Sequence, residues 1–259
     1  MNVCVLVMEG TNNEAETMHC LMKVGLRPVL VHVGELLSGE HRLKEFQGLV
    51  IPGGFSAGDY VRGGAIFASY LRAIITDLRW FIDAGHPVLG ICNGFQILVE
   101  LGFLPETEDD GVSSHKVALT RNGSARFECR TVRLRRENDN LFTRSLKPGE
   151  LLELPVAHAE GRFVAPKEVW QEMVATDQVA FRYVGASDGP AGYPYNPNGS
   201  LDDIAGVTNR AGNLLGMMPH PERAFYWYQG ASWTRRGSNR GPGQGHAIFQ
   251  GMADYLKRG

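Results

Sequence analysis

The sequence lacks the features of a disulfide-stapled or zinc-binding protein. Only four of its 259 residues are cysteines, and no two of them have the Cys-x-x-Cys spacing. Scattered thiols are typical of small buried residues in a reducing compartment. We therefore expect no disulfide framework and no metal site.

An excess of charge and a long hydrophobic run are absent as well. Lys and Arg number 26 against 28 Asp and Glu, so no basic surplus is available for a phosphate backbone and we expect no nucleic-acid partner. The longest mostly apolar stretch, residues 87–103, is interrupted by polar residues and is shorter than the about 20 residues of a membrane span. The chain starts on a strand-like run without a basic leader, so we expect a cytoplasmic protein with no membrane partner.

Glycine, by contrast, is in excess. The chain has 32 glycines among 259 residues, against roughly 7% in an average protein. Glycine permits positive φ and close backbone approach. We expect many tight turns, including loops that wrap a ligand.

The first hundred residues alternate between strand and helix patterns. Strands are predicted at 3–8, 28–33, 48–52 and 87–91, and helices at 13–24, 67–84 and 93–102, with a short helix closing at 43–46. Short apolar strands separated by helices indicate parallel pairing with helices on both faces.

After about residue 106 the rhythm changes. Strands predicted at 125–136, 151–156, 179–184 and 204–207 suit an antiparallel or mixed extension, followed by a strand at 214–218 and a helix at 245–257. No long linker divides the chain. We therefore predict an α/β fold in a single domain, residues 1–259: a three-layer, mostly parallel open sheet of flavodoxin-like type, with a small antiparallel extension.

Cys92 lies where a predicted strand ends and a helix begins. Its surroundings, Gly-Ile-Cys-Asn-Gly at 90–94, match the nucleophile elbow G-x-S-x-G with cysteine in place of serine. The helix N-terminus favours thiolate over thiol, and the N–H of Asn93 could bind an oxyanion. An arbitrary cysteine is more often a buried structural residue, but the glycine bracket favours a nucleophile.

Two further motifs would complete such a site. Pro-His-Pro-Glu at 219–222 follows a short apolar strand, so His220 could accept the thiol proton while Glu222 orients its imidazole. Taken alone, this histidine would more often be an ordinary loop residue, and the elbow is what favours a catalytic role. Gly53 and Gly54 end the third strand, where paired glycines allow backbone N–H groups to face a developing negative charge.

These elements, in this order, resemble the triad-type (class I) glutamine amidotransferases. More narrowly, the sequence resembles the glutaminases of phosphoribosylformylglycinamidine synthases, enzymes of purine biosynthesis. Five ordered blocks carry the resemblance: PGGFSAGDYVRGG at 52–64, LGICNGFQIL at 89–98, PVAHAEGRF at 155–163, NPNGS at 196–200 and MMPHPER at 217–223.

The resemblance implies that Cys92 attacks the side-chain amide of L-glutamine and forms a glutamyl thioester. His220 would protonate the departing ammonia and activate the hydrolytic water, with Glu222 as the third catalytic residue. Further residues of the blocks would stabilise the oxyanion or bind glutamine. The implied oxyanion donors are Gly53, Gly54 and Asn93, and the implied glutamine-binding residues are Gln96, His158, Glu160 and Arg162.

The resemblance also implies partners. In such synthases the ammonia passes to an ATP-using active site that amidates formylglycinamide ribonucleotide. This chain has no GxxxxGK motif, so we expect a large synthetase subunit and a small accessory subunit as partners. No cofactor is expected in this chain, and ATP and magnesium are expected on the synthetase.

Two segments depart from the family pattern. The family often reads Gly-Ser-Asn-Cys-Asp after the first strand, where this chain has Gly-Thr-Asn-Asn-Glu at 10–14; the role of this loop is left open. Residues 224–245 are rich in Trp, Tyr, Arg and Gly and suit either a loop that covers the sheet edge or a docking site. The docking hypothesis depends on Arg235, Arg236 and Arg240 beside Trp227 and Trp233.

Two other functions are compatible with the elbow alone. One is a cysteine hydrolase of the α/β-hydrolase type, although that fold places its acidic residue upstream of the histidine rather than two residues after it. The other is a non-catalytic redox- or stress-related binding protein with a reactive cysteine.

Overall fold

A nine-stranded mixed sheet organises the computed structural model, which describes residues 1–107, 116–187, 190–231, 233–235 and 241–258. The strands in this part of the chain are β1 (Asn2–Val7), β2 (Arg27–His32), β3 (Gly48–Ile51), β4 (Val88–Ile91), β5 (Ala118–Arg121), β6 (Glu128–Arg136), β7 (Leu151–His158), β8 (Glu160–Val164), β9 (Val179–Tyr183), β10 (Ile204–Thr208) and β11 (Leu214–Met217). The α-helices are α1 (Glu14–Lys23), α2 (Val33–Ser38), α3 (Ala65–Leu71), α4 (Ile75–Asp83), α5 (Asn93–Glu100), α6 (Lys167–Ala175) and α7 (His246–Arg258).

The main sheet has a parallel half and an antiparallel half. Its strand order is β2-β1-β3-β4-β11-β10-β9-β6-β7, and the pairs from β2 to β11 are parallel. The pairs from β11 to β7 are antiparallel, and β5 and β8 form a separate antiparallel pair. The predicted α/β class is confirmed. The antiparallel part contains two strands more than the sequence indicated, β5 and β8.

The strands of the parallel half are covered on both faces. Val3, Cys4, Val5 and Leu6 of β1 are fully buried, and every residue of β3 and β4 is buried. This burial explains the continuous apolar runs, since strands between two helical layers have no solvent-facing side. Helix α7 contributes an apolar stripe to one of these layers.

The predicted long helix over residues 67–84 is wrong. The structure has α3, a 3₁₀ turn at Arg72–Ile74, and then α4. The two helices pack against different elements: α3 packs against α5, whereas α4 packs against the 3₁₀ turn Leu43–Glu45. The side chain of Arg72 donates to the carbonyl of Glu100 at the end of α5, at 2.7 Å, which fixes the point where the direction changes.

The strand order brings three loops to one edge of the sheet. Ile51 of β3 pairs with Gly90 of β4, and Ile91 of β4 pairs with Met217 of β11. Because these three strands are parallel neighbours, the loops after them emerge side by side at their carboxyl ends, the edge at which open α/β sheets bind ligands. Among the described residues, no helix is both long and apolar enough to cross a bilayer.

Candidate active site

Cys92 occupies a strained turn between β4 and α5. Its backbone has φ 51° and ψ −102°, a region that costs a non-glycine residue about 1–3 kcal/mol and is concentrated at functional sites. The neighbouring glycines are required by close packing. A Cβ on Gly90 would lie 2.7 Å from the carbonyl oxygen of Gly94, and a Cβ on Gly94 would lie 2.0 Å from that of Ile51. The turn therefore has the geometry expected of a nucleophile elbow.

His220 and Glu222 form a buried pair. The Nδ1–H of His220 donates to Oε1 of Glu222 at 2.6 Å, and each residue is only 1% exposed. Burial favours the neutral imidazole, but the negative charges of Glu222 and Cys92 outweigh it and raise the pKa of His220 to about 10. Nε2 has no hydrogen-bond partner among the described residues. Glu222 thus engages Nδ1 and not Nε2, while Sγ of Cys92 donates to the carbonyl of Ala157 at 3.9 Å.

Gly53 and Gly54 lie against this pair. A Cβ on Gly53 would be 2.8 Å from Cε1 of His220, and Gly54 adopts φ 152° with no space for a Cβ beside Asn12. The N–H groups of Gly53, Gly54 and Asn93 donate to no backbone or side-chain acceptor in the described part of the chain. These donors are free to bind a developing oxyanion, as their predicted role requires.

Gln96 and Glu160 lie next to the elbow. The side-chain amide of Asn93 donates to Oε1 of Gln96 at 2.9 Å, and Nε2 of Gln96 donates to the carbonyl of Glu160 at 2.7 Å. The carboxylate of Glu160 accepts the N–H of Gly63 at 2.9 Å. Helix α5 and strand β8 are thereby joined on one side of Cys92.

His158 and Arg162 are placed differently. His158 is buried, its Nδ1–H donates to Oδ1 of Asn122 at 3.1 Å, and burial together with the charge of His220 lowers its pKa to about 3. It is therefore neutral over the physiological range. Arg162 is exposed and its Nε donates to the carbonyl of Gly199 at 3.2 Å. A role for these two residues in binding glutamine stays a prediction.

Asp59 belongs to the site although sequence reasoning did not select it. Its Oδ1 lies 3.4 Å from Nδ2 of Asn93, and burial together with the charge of Glu160 raises its pKa to about 6. Its φ of 54° is one of several positive values in the loop that follows the paired glycines. The signal available in the sequence was its position within the block 52–64.

The block NPNGS at 196–200 has a structural role, because its side chains bond to strand β8. Nδ2 of Asn198 and Oγ of Ser200 both donate to the carbonyl of Gly161, at 2.8 and 3.3 Å, and Oγ of Ser200 accepts the N–H of Phe163 at 3.0 Å. These bonds hold β8, and with it Glu160, in place beside α5.

The segment after the His–Glu pair is tied back onto it. The N–H of Gly243 donates to the carbonyl of Phe225 at 2.8 Å, and a Cβ on Gly245 would lie 2.0 Å from the carbonyl oxygen of Pro221. The rings of Trp227 and Trp233 meet edge to face, with centroids 5.7 Å apart. Arg236 and Arg240 lie outside the described residues, so the docking hypothesis for 224–245 stays a hypothesis.

The site thus joins a cysteine on a strand–helix elbow to a histidine oriented by a carboxylate, with free backbone donors on the adjoining loop. In chemical class this is an enzyme that cleaves an acyl bond through a cysteine nucleophile. In the described part of the chain, no group of three or more His, Cys, Asp or Glu side chains is arranged to hold a metal ion.

Comparison with known proteins identifies the family. The sequence model of the CobB/CobQ-like glutamine amidotransferase domain matches residues 1–256. The chain is 44% identical to the phosphoribosylformylglycinamidine synthase subunit PurQ of Archaeoglobus fulgidus, over 100% of this chain and 98% of that protein, and 45% identical to PurQ of Picrophilus torridus over 93% of each. A solved structure of PurLQS from Thermotoga maritima superposes with a TM-score of 0.75 at 33% identity, covering 98% of both chains.

The chain belongs to the glutamine amidotransferase family. The resemblance inferred from the five blocks is confirmed. The two alternatives, an α/β-hydrolase-type enzyme and a non-catalytic redox protein, are displaced by this assignment.

Proposed function

We propose that this chain is the glutaminase component of a phosphoribosylformylglycinamidine synthase. It hydrolyses L-glutamine to glutamate and ammonia, and a synthetase partner uses the ammonia to amidate formylglycinamide ribonucleotide with ATP. The observation that carries the proposal is the strained Cys92 at the start of α5, facing a buried His220–Glu222 pair, in a chain 44% identical to a PurQ subunit over its full length.

In the first half of the reaction, Sγ of Cys92 attacks the side-chain amide carbon of glutamine. The carbonyl oxygen becomes an oxyanion, which the N–H groups of Gly53, Gly54 and Asn93 stabilise. The carbon–nitrogen bond then breaks, and the amide nitrogen takes a proton from Nε2 of His220 and leaves as ammonia. A glutamyl thioester on Cys92 remains.

In the second half, a water molecule attacks the thioester carbon while His220 accepts its proton. The carbon–sulfur bond breaks, glutamate is released and the thiolate–imidazolium pair is restored. The raised pKa of His220 suits this cycle, since an imidazolium stabilises the thiolate before attack and supplies the proton for ammonia.

The substrate and partners complete the proposal. Gln96, Glu160, His158 and Arg162 are proposed to bind glutamine, with Gln96 and Glu160 nearest the elbow. The relatives named as synthase subunits and the PurLQS structure support a synthetase partner. We further propose a small accessory subunit, with ATP and magnesium bound on the synthetase, and a cytoplasmic location.

The complex of this chain with its synthetase and accessory subunits tests the proposal. Cys92→Ala should abolish amidation of formylglycinamide ribonucleotide when glutamine is the nitrogen source and leave amidation with ammonium chloride unchanged. Full glutamine-dependent activity in the variant would overturn the assignment of Cys92. Absence of amidation from both nitrogen sources by the wild-type complex would overturn the proposed reaction.

A further inference from the structure

Asn13, the last residue of the loop between β1 and α1, has unusual surroundings. Asn13 is 1% exposed and lies at the N-cap position of α1. An asparagine there ordinarily accepts the backbone N–H of the helix's first turn, but the side chain of Asn13 makes no such bond. Its Nδ2 donates instead to Oδ1 of Asn12 at 2.9 Å, while its Oδ1 and its backbone N–H contact two parts of the candidate site.

The first partner is Arg223, the residue after the catalytic Glu222. Nε and Nη2 of Arg223 both donate to Oδ1 of Asn13, at 3.0 and 2.5 Å. In the described part of the chain Arg223 forms no ion pair, so this amide oxygen is the acceptor that holds its guanidinium. Two donors from a charged group make this a strong contact, and the turn that carries His220 and Glu222 is anchored to α1 through it.

The second partner is the oxyanion loop. The backbone N–H groups of Asn12 and Asn13 both donate to the carbonyl of Gly53, at 3.4 and 3.3 Å. A Cβ on Gly53 would lie 2.9 Å from Nδ2 of Asn13 and 2.8 Å from Cε1 of His220. The amide of Asn13 and the ring of His220 therefore flank Gly53.

We propose that Asn13 is a positioning residue that locks the oxyanion loop to the His220–Glu222 turn. Through Gly53 and Arg223 it fixes the free N–H groups and the imidazole relative to each other, so that both face the acyl group on Cys92. The catalytic consequence of this lock rests on the proposed glutaminase function.

Substitutions at both ends of the contact test the lock in the synthase complex. Asn13→Leu keeps the number and branching of side-chain heavy atoms and removes both polar atoms, and Arg223→Met removes the donors. We expect each to lower kcat for glutamine hydrolysis about tenfold with KM within about twofold, since a small misplacement of catalytic groups costs rate rather than substrate affinity. The double variant should lose little more than either single one, because both break the same contact.

Two variants separate positioning from loss of fold. Asn13→Asp keeps an oxygen acceptor for Arg223 and should retain at least about half of kcat, and Arg27→Met, at an exposed arginine of β2, should behave as wild type. Unchanged kcat in Asn13→Leu, a loss that lies in KM alone, or an equal loss in Asn13→Asp would overturn the inference.

A readout without glutamine separates this inference from the proposed function. The rate at which iodoacetamide alkylates Cys92, followed by peptide mass mapping across pH, reports the thiolate that His220 stabilises. Asn13→Leu should shift this profile toward higher pH. An unshifted profile would contradict the lock even if glutamine is not the substrate. A shifted profile with no glutamine turnover by the wild type would contradict only the proposed function.

Discussion

Gly53 and His220 touch across the mouth of the site, so closely that a Cβ on Gly53 would lie 2.8 Å from Cε1 of the imidazole. The contact joins a proposed oxyanion donor to the residue proposed to transfer the proton. A side chain at residue 53 is therefore excluded by the ring of His220. The backbone conformation does not exclude it, because Gly53, unlike Gly54, has no positive φ.

Gly53→Ala should lower kcat for glutamine hydrolysis by about 10² or more. The added methyl group must displace His220 or tilt the N–H of residue 53, and loss of one oxyanion donor alone costs about 10²–10³. Gly192→Ala is the matched control, because a Cβ at Gly192 meets nothing within 4 Å. Steady-state glutaminase kinetics of the two variants test this prediction. A wild-type kcat in Gly53→Ala would show that the close contact between Gly53 and His220 is not needed for catalysis.

The strain at Cys92 predicts an inverted stability order. At an ordinary position glycine is less stable than alanine by roughly 0.5–1 kcal/mol. At φ 51° and ψ −102° glycine avoids a cost of about 1–3 kcal/mol that alanine retains. Urea denaturation should therefore find Cys92→Gly more stable than Cys92→Ala, whereas Ala15→Gly, at an exposed position of helix α1, should be destabilising. If Cys92→Ala is instead more stable than Cys92→Gly, the turn at residue 92 is unstrained.

The raised pKa of His220 predicts a pH dependence of stability. Its folded-state pKa of about 10 lies above the ordinary 6.5, so its contribution is complete below about pH 6.5 and is lost as the pH rises toward about 10. The difference in free energy of unfolding between wild type and His220→Gln should be largest near pH 6 and shrink across this window. Denaturant titrations at several pH values test this; a difference that grows with pH has the wrong sign.

The residues proposed to bind glutamine can be ranked by kinetics. Gln96 is bonded to Asn93 and Glu160 beside the elbow, whereas Arg162 is bonded to the carbonyl of Gly199 at the surface. Gln96→Ala should raise KM for glutamine about tenfold, and Arg162→Ala should raise it less. A larger increase in Arg162→Ala would mean that its side chain turns toward the substrate on binding.

Much of this site could be predicted because its chemistry is local in sequence. The turn at Cys92, the His-Pro-Glu turn and the paired glycines each follow a strand, and the parallel order of β3, β4 and β11 brings them together. Most predicted element bounds agree with the structure to within about two residues, since buried parallel strands have continuous apolar runs.

The features that the sequence did not predict depend on tertiary contacts. The break after α3 lies at Arg72–Ile74, where no glycine or proline marks it. Helix α2 was not predicted because its start depends on a capping box between His32 and Glu35, and histidine is an unusual capping residue. The link from Asn13 to Arg223 spans 210 residues, and no local pattern reports such a pair.

The central claim is that Cys92 forms a covalent bond to the side-chain acyl group of glutamine. The most direct measurement is mass mapping of the chain after reaction with a glutamine analogue that carries an electrophilic diazoketone in place of the amide. One adduct on Cys92 is expected, slowed by added glutamine and absent from Cys92→Ser, with the exposed Cys129 unmodified. An adduct on Cys129 but not on Cys92, or labelling of Cys92 that glutamine does not slow, would contradict the account.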